Sequence, residues 1–299
     1  MIPSTFDYVA PGTLDEAVAL LRAHEGEAKV LSGGQSLIPM LKLRLAAPSV
    51  LVDINRIPGL DYIGIRDGAL RIGALAREAE LEASAVVREQ FPILLDTARV
   101  VADPIVRNSA TICGNVAHAD PGNDHPATMV ALDAQIVVRG PNGTRTIPAR
   151  EFFTGLFATA LASDEIVTEI AVPLPPPRSG GAYVKLERKV GDYATAAVAA
   201  QVTLDGHGGC ERAGIALTNV GPTVIRATEA ESFLLHKPLD AGTIAQAAQL
   251  AARAADPVED RRGSADYKRD IVRVLAARAL RLAARRAEGS ETTSSGGRA

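Results

Sequence analysis

The chain has 299 residues, of which 47% are hydrophobic and 22% charged, and its formal net charge is −3 at pH 7. This length and composition are typical of a globular protein with one large or two medium domains, and no apolar run approaches the ~20 residues that cross a bilayer. The slightly negative charge, the absence of Trp and an aromatic content of 4% argue against a nucleic-acid-binding protein, which needs a basic surface and stacking side chains.

Residues 1–55 have the pattern of a β-α-β unit. Strands are predicted at Phe6–Val9, Ala28–Leu31 and Val50–Ile54. Between the first two strands, Thr13 and Glu16 form a capping box, and apolar residues follow at helical spacing. A second helical stretch is predicted at Leu37–Arg44. The N-terminus shows no secretory signal, so a cytoplasmic location is expected.

Residues 56–177 are richer in strand patterns. Hairpin turns are predicted at Asp67-Gly68 and Asn142-Gly143, and a strand at Glu165–Val172 closes the segment. Helices are predicted at Ile93–Ala102, where Pro92 precedes the first turn, and at Pro126–Leu132. The stretch from Asn108 to His125 is long and polar and contains glycines.

Four prolines and two glycines between Pro173 and Gly181 indicate a domain boundary, because such a segment continues neither a helix nor an interior strand. Beyond it, strands are predicted at Ala182–Arg188, Thr195–Leu204 and Glu211–Val220. Helices are predicted at Arg226–Leu235, Ala241–Ala254 and Ser264–Arg286. The sequence therefore predicts domains at 1–177, with subdomains of about 1–55 and 56–177, and at 178–287, followed by a disordered tail at 288–299.

The remaining polar features have ordinary interpretations. Cys113 and Cys210 are too far apart for a CxxC unit, and two thiols cannot hold an iron–sulfur cluster. No histidine spacing matches a metal site, so no protein-bound metal is expected. His118 and His125 are interpreted as loop histidines exposed to water. The arginines of the last helix favour a solvated face over a subunit contact.

Two loops could hold a phosphate. Ser32-Gly-Gly-Gln-Ser36 lies between a strand and a helix, where glycines let successive N–H groups point into one hollow and remove Cβ atoms that would keep a phosphate away. Thr111-Ile-Cys-Gly-Asn115 again combines a glycine with a hydroxyl and an amide. Taken alone, the first is more typical of a tight turn and the second of a structured surface loop.

Six motifs occur in order between residue 1 and about residue 285. They are Phe6-Asp-Tyr8 with Leu14-Asp-Glu-Ala17, Ser32-Gly-Gly-Gln-Ser36, Val52-Asp-Ile-Asn55, Thr111-Ile-Cys-Gly-Asn115 with Asp120-Pro121 and Asp124, Asp164–Pro173, and Lys185-Leu-Glu-Arg188 with Asp192-Tyr193. With this order and spacing, the chain resembles the FAD-binding medium subunit of the molybdenum hydroxylases, the carbon monoxide dehydrogenase and xanthine dehydrogenase group.

The resemblance implies an α+β architecture. The expected fold is the FAD-binding fold of the vanillyl-alcohol-oxidase (PCMH) type, with two N-terminal subdomains that clasp FAD and a C-terminal domain of antiparallel sheet and helices. The expected function is electron relay, from the [2Fe–2S] clusters of a small subunit to an external acceptor, while a large molybdopterin subunit oxidises the substrate. A carbon monoxide dehydrogenase-like complex and a dimer of heterotrimers are implied, and no catalytic residue is expected in this chain.

The resemblance also implies which residues contact the cofactor. The first loop would hold the FAD diphosphate, and the second would contact phosphate, ribose and flavin. Lys29 and Lys185 would reach its adenine-bearing or polar flavin ends, and Asp124 a ribose hydroxyl. Tyr193 is equally compatible with a flavin contact and with a core or turn tyrosine. The whole implied set is Lys29, Ser32, Gly33, Gly34, Gln35, Ser36, Ala102, Thr111, Gly114, Asn115, Ala117, Asp124, Ile166, Val167, Lys185 and Tyr193.

The chain departs from the family pattern at both loops. Ser32 and Gln35 stand where some relatives have Ala and His, and Gln35 keeps hydrogen bonding but cannot change its charge. Cys113 stands where Gly is usual, which requires a backbone conformation open to other residues. Two alternatives remain open at this stage: a self-contained flavin oxidoreductase of similar fold, and an assembly or binding protein that has lost FAD.

Overall fold

The first strands form a small parallel sheet, as the β-α-β pattern predicts. The strands are β1 (Asp7–Val9), β2 (Ala28–Leu31) and β3 (Val50–Asp53), in the order β1-β3-β2. Helix α1 (Leu14–Ala23) buries Ala17, Val18 and Leu21 against the sheet, and α2 (Leu37–Leu43) follows the first glycine loop. Thr13 caps α1, but the Glu16 carboxylate accepts the N–H of Gly12 at 2.9 Å, one residue before the position that a capping box predicts.

The second region is built on a five-stranded antiparallel sheet. Its strands are β4 (Ile63–Arg66), β5 (Ala69–Gly73), β6 (Gln135–Gly140), β7 (Gly143–Pro148) and β10 (Ile166–Pro173), with a separate hairpin of β8 (Phe153–Gly155) and β9 (Ala158–Thr159). The order is β4-β5-β10-β6-β7, so the last strand of the region lies between the two predicted hairpins.

Seven helices accompany this sheet among the described residues, and several were absent from the sequence prediction. They are α3 (Glu78–Ala83), α4 (Ala85–Gln90), α5 (Pro92–Val100), α6 (Pro104–Arg107), α7 (Ile112–His118), α8 (His125–Ala131) and α9 (Ala149–Phe152). The missed helices have four to seven residues, too few turns for a hydrophobic period to be recognised. The interpretation of Thr111–Asn115 as a loop was therefore wrong, because this segment begins α7.

The third region is an antiparallel sheet covered by helices. Its strands are β11 (Ser179–Leu186), β12 (Ala196–Leu204), β13 (Cys210–Thr218) and β14 (Ile225–Arg226), in sequential order, and its helices are α10 (Thr228–Leu234), α11 (Ala241–Ala254) and α12 (Ala265–Ala287). Alanines and aliphatic residues of α11 and α12 pack on the sheet. Arg286 of α12 is not simply solvated, because it forms an ion pair with Asp96 of α5 and ties this region to the second.

The computed structural model describes residues 2–289. The predicted disordered tail therefore lies, from residue 290 onward, outside the described residues. Within the described part of the chain, no helix has both the length and the apolar character that a membrane span requires. The predicted mixed α+β architecture is confirmed, with a two-part N-terminal region followed by a sheet-and-helix region.

Candidate functional site

All three regions contribute to one cavity of about 580 Å³. The first glycine loop and β2 form one wall, the start of α7 and the start of β10 form a second, and the β11–β12 region reaches in from the third region. All sixteen residues of the implied cofactor-binding set line this cavity, although they come from separate parts of the chain.

The two glycine-containing segments meet at the cavity wall. The hydroxyls of Ser32 and Thr111 share a hydrogen bond of 3.0 Å, and the Ser109 hydroxyl donates to the Gly33 carbonyl at 2.9 Å. A Cβ at Gly33 would lie 2.5 Å from the Ser109 carbonyl oxygen and 2.9 Å from the Thr111 nitrogen. Gly33 is therefore needed for the close approach of the second segment. The idea that its missing side chain leaves room for a phosphate was wrong for this residue.

The first loop presents backbone donors to the cavity. Among the described residues, no protein group accepts a hydrogen bond from the backbone N–H groups of Gly33, Gly34, Gln35 or Ser36. Gly34 has φ +71°, a conformation that L side chains rarely adopt. Successive free N–H groups around a left-handed residue form a concave surface that attracts anionic oxygens.

The second segment is the start of a helix and not a loop. Thr111 is the N-cap of α7, and its side-chain oxygen accepts the N–H of Gly114 at 3.2 Å. Cys113 lies in the first helical turn, where its backbone conformation is open to any residue, so the departure from Gly at this position is accommodated. Asn115 lines the cavity, and its buried Oδ1 atom has no hydrogen-bond partner within residues 2–289.

Asp124 and Lys185 form a buried ion pair at the cavity wall. Lys185 Nζ donates to Asp124 Oδ2 at 3.0 Å and to the Val100 carbonyl at 3.0 Å, and it lies 3.4 Å from Glu187. The Tyr183 hydroxyl donates to Asp124 Oδ1 at 2.7 Å. Burial raises the pKa of Asp124, and the adjacent ammonium and hydroxyl oppose that effect. The protons of Lys185 are thus directed at protein acceptors, whereas each Asp124 oxygen keeps a lone pair for a ligand hydroxyl.

Ala102 and Tyr193 lie together at another part of the cavity. Ala102 has φ 45°, and Arg107 donates to its carbonyl at 3.3 Å. A Cβ at Gly191 would lie 2.7 Å from that same carbonyl oxygen, so a glycine is required where the β11–β12 loop crosses Ala102. This close crossing brings Tyr193, 46% exposed, to the cavity wall. Tyr193 is therefore not a core residue.

The two histidines do not match their sequence interpretation as water-exposed loop residues. His125 is the first residue of α8 and is fully buried, and its Nε2 lies 2.8 Å from Glu78 Oε2. Burial lowers the pKa of His125, but the carboxylate of Glu78 outweighs that effect and raises the pKa overall. His118 ends α7, lines the cavity and contacts the ring of Phe157, with a centroid separation of 5.2 Å. Sequence could not pair His125 with Glu78, because 47 positions separate them.

The remaining implied contacts take ordinary places in the cavity wall. Lys29 is an exposed residue of β2, and Ala117 is a half-buried residue of α7. Ile166 and Val167 open β10 with exposed fractions of 2% and 6%. This combination of free backbone donors, a buried carboxylate, an unpartnered buried amide oxygen and an exposed aromatic ring fits a flavin dinucleotide, which has phosphates, hydroxyls and an extended ring.

Comparisons with known proteins identify the family. Residues 4–175 match the family model of the FAD binding domain in molybdopterin dehydrogenase, and residues 181–283 match the CO dehydrogenase flavoprotein C-terminal domain. The carbon monoxide dehydrogenase medium chain of Hydrogenophaga pseudoflava is 45% identical, covering 95% of this chain and 98% of its own. Subunit alpha of the 6-hydroxypseudooxynicotine dehydrogenase complex of Paenarthrobacter nicotinovorans is 40% identical, covering 96% and 97%.

A solved structure agrees with the sequence matches. Reconstituted CO dehydrogenase from Oligotropha carboxidovorans contains a chain that superposes with a TM-score of 0.93 at 42% identity, covering 96% of this chain and 100% of that one. The chain therefore belongs to the FAD-binding medium subunits of the molybdenum hydroxylase family, and FAD is its cofactor.

Proposed function

We propose that this chain is the electron relay of a carbon monoxide dehydrogenase-like complex. In this proposal it receives electrons from the [2Fe–2S] clusters of a small partner subunit and delivers them to an external acceptor. A large molybdopterin subunit would oxidise the substrate, and two heterotrimers would form the complete particle. The relatives named as carbon monoxide dehydrogenase medium chains, which align with nearly the whole of this chain, support the proposal.

The observation that carries the proposal is the meeting of all sixteen implied residues at one cavity. We propose that the free N–H groups of Gly33 to Ser36 hold the FAD diphosphate and that Asp124 and Asn115 accept or offer hydrogen bonds to its hydroxyl-bearing part. Tyr193 and Ala102 would contact the isoalloxazine ring. When bound, the flavin supplies the redox chemistry, since it can take up electrons singly and release them in pairs, whereas the protein supplies binding and orientation.

The proposed domain bounds are 1–177 and 178–287, with a subdomain division near residue 55. The cytoplasmic location expected from the sequence remains a prediction. In this proposal the substrate is selected in another subunit and not at this chain's cavity. A relative that is 40% identical supports this, because its complex is named for a different substrate, 6-hydroxypseudooxynicotine.

Co-purification tests the relay. We expect the tagged full chain to purify as a yellow complex with iron and molybdenum, and CO to bleach its flavin only while the iron–sulfur subunit is present. A yellow chain that turns over a substrate without partners would replace the relay with a self-contained oxidoreductase. A colourless chain would identify a protein that has lost FAD. Bleaching by aldehydes or N-heterocycles, but not by CO, would keep the relay and refute the CO assignment.

A further inference from the structure

Arg77 links the two halves of the cofactor site from outside the cavity. It is the N-cap residue of α3, and its guanidinium makes two hydrogen bonds in different directions. Nη1 donates to the Ser109 carbonyl at 2.6 Å, and Nη2 donates to Asn55 Oδ1 at 2.7 Å. Ser109 precedes α7 in the second region, whereas Asn55 follows β3 in the first, so one side chain joins the two predicted subdomains.

Asn55 extends this link to the first glycine loop. Its Nδ2 donates to the Ser32 carbonyl at 3.0 Å and also to Asp53 Oδ1 at 2.6 Å, and this second bond fixes the orientation of the amide. The Ser109 hydroxyl in turn donates to the Gly33 carbonyl. These bonds close a ring that runs from Arg77 through Asn55, the Ser32–Gly33 segment and Ser109 back to Arg77.

Three members of this ring lie outside the cavity wall. Ser32 and Gly33 line the cavity, whereas Arg77, Asn55 and Ser109 are not among its lining residues. An arginine suits this position because its planar guanidinium presents fixed, diverging donors, and hydrogen bonds from a charged donor are stronger than neutral ones. A lysine would place its charge at one acceptor and leave the other without a partner.

We propose that Arg77 acts as a clamp, a positioning residue that sets the separation of the two loops and thereby the affinity for the dinucleotide. The proposal rests on the assignment of the diphosphate to the first loop. Loss of the guanidinium opens the ring at both Ser109 and Asn55, and only the Ser32–Thr111 and Ser109–Gly33 hydrogen bonds then hold the first loop at its distance from Thr111. Affinity decreases because the bound state must restore that distance, which the free state no longer maintains.

The test measures FAD and ADP binding to the full chain, in the complex in which it purifies, after removal of the flavin. The variants are Arg77→Gln, Arg77→Lys, Asn55→Ala and the Arg77→Gln/Asn55→Ala double variant. We expect the Kd for FAD to rise about tenfold or more in Arg77→Gln, and the Kd for ADP to rise by the same factor. The Kd for FAD of Arg77→Lys should stay above the wild-type value. The Kd of the double variant should not exceed the higher of the Kd values of Arg77→Gln and Asn55→Ala.

Arg71→Gln provides the matched control. Arg71 also donates from Nη1, to Glu169 at 2.6 Å, but it lies outside the cavity lining and outside the ring. This variant should lower the melting temperature without changing either Kd. Asn55 is exposed, so Asn55→Ala keeps the test valid should Arg77→Gln fail to fold.

Three results would overturn the clamp while leaving the cofactor site intact. They are a wild-type Kd for FAD in both Arg77→Gln and Asn55→Ala, a double variant in which the effects of these two substitutions multiply, and an equal rise of the Kd in the Arg71→Gln control. An increase in the Kd for FAD without an increase in the Kd for ADP would show that the hydrogen-bonded ring does not act on diphosphate binding, and this result would also refute the clamp. Failure of the wild type to bind both FAD and ADP would refute the cofactor site itself, and the clamp with it.

Discussion

Replacing Gly33 by Ala tests whether the two loops must touch. The added Cβ would lie 2.5 Å from the Ser109 carbonyl oxygen, whereas ordinary contact begins at 3.4 Å, so the segments must separate by about 0.9 Å. The same separation would stretch the 3.0 Å bond between Ser32 and Thr111 and the 2.9 Å bond to the Gly33 carbonyl beyond hydrogen-bonding range. Overpacking against a backbone that cannot rotate away costs roughly 1–3 kcal/mol.

This cost should appear in both folding and binding. Since each 1.4 kcal/mol corresponds to a factor of ten, the Kd for FAD should rise roughly 5- to 150-fold if the bound state takes the whole cost. Any part that falls on the free chain should lower its melting temperature by about 2–4 °C per kcal/mol. Titration of the flavin-free protein with FAD and thermal unfolding of the same sample measure the two parts. Gly64→Ala is the control, because a Cβ there meets nothing within 4 Å.

Two explanations of the glycine at position 33, room for a phosphate and close contact between the loops, predict different results in these two measurements. A side chain that merely occupied a phosphate-binding hollow would weaken FAD binding and leave the stability of the flavin-free chain unchanged. A clash between segments must change stability as well, because Ser109 and Thr111 are present with or without the cofactor. A Gly33→Ala variant that melts like the wild type and binds FAD with unchanged affinity would refute the proposed contact between the loops.

Three further predictions concern the surrounding side chains. Burial lowers the pKa of His125, but the Glu78 carboxylate raises it overall. The contribution of protonated His125 to the free energy of unfolding is therefore complete below the unfolded pKa of about 6.5 and is lost as pH rises through the higher folded pKa. Urea unfolding of the wild type should therefore become easier above that pH relative to His125→Gln, and parallel pH profiles would contradict this. Lys185→Met should cost about 3–5 kcal/mol because it leaves Asp124 buried without its cation; adding Asp124→Asn should recover part of the loss in urea unfolding, and a further loss would refute the pairing. Tyr193→Ala should change the visible spectrum of bound flavin but not the Kd for ADP, whereas Tyr193→Phe should retain the wild-type spectrum; an unchanged spectrum in Tyr193→Ala would remove this residue from the flavin site.

Much of the fold could be predicted where a hydrophobic period runs long enough. The strand Ala28–Leu31 and the helix Ala241–Ala254 have the predicted bounds, because each shows a clear period between turn or capping signals. Helices α3 and α4 have six residues each, and their apolar positions are too few to distinguish a helix from a loop. For α4, the cap at Ser84 was the one available local signal.

The members of the cavity wall were predictable more than its geometry. The resemblance to the FAD-binding medium subunits implied sixteen residues, and the structure places all of them at one cavity. The partners of those residues lie far away in the chain, and no local pattern indicates them. The buried pair of Glu78 and His125 and the ring through Arg77 and Asn55 depend on tertiary contacts alone, although Asn55 ends a motif whose purpose the sequence did not explain.

The candidate site therefore depends on two kinds of residue whose effects can be separated. Tyr193 and Ala102 form part of the cavity wall, so their substitution should change the electronic environment of the flavin. Arg77 and Asn55 act on the loop separation and not on the isoalloxazine ring. Their substitution should therefore change the affinity for FAD, while the spectrum of the bound flavin stays the same. Because the diphosphate and the isoalloxazine ring belong to one molecule, the Kd for FAD alone cannot distinguish the two classes of residue. ADP binding and the spectrum of bound flavin, measured on the same variants, distinguish a wall that contacts the flavin from a clamp that spaces the loops.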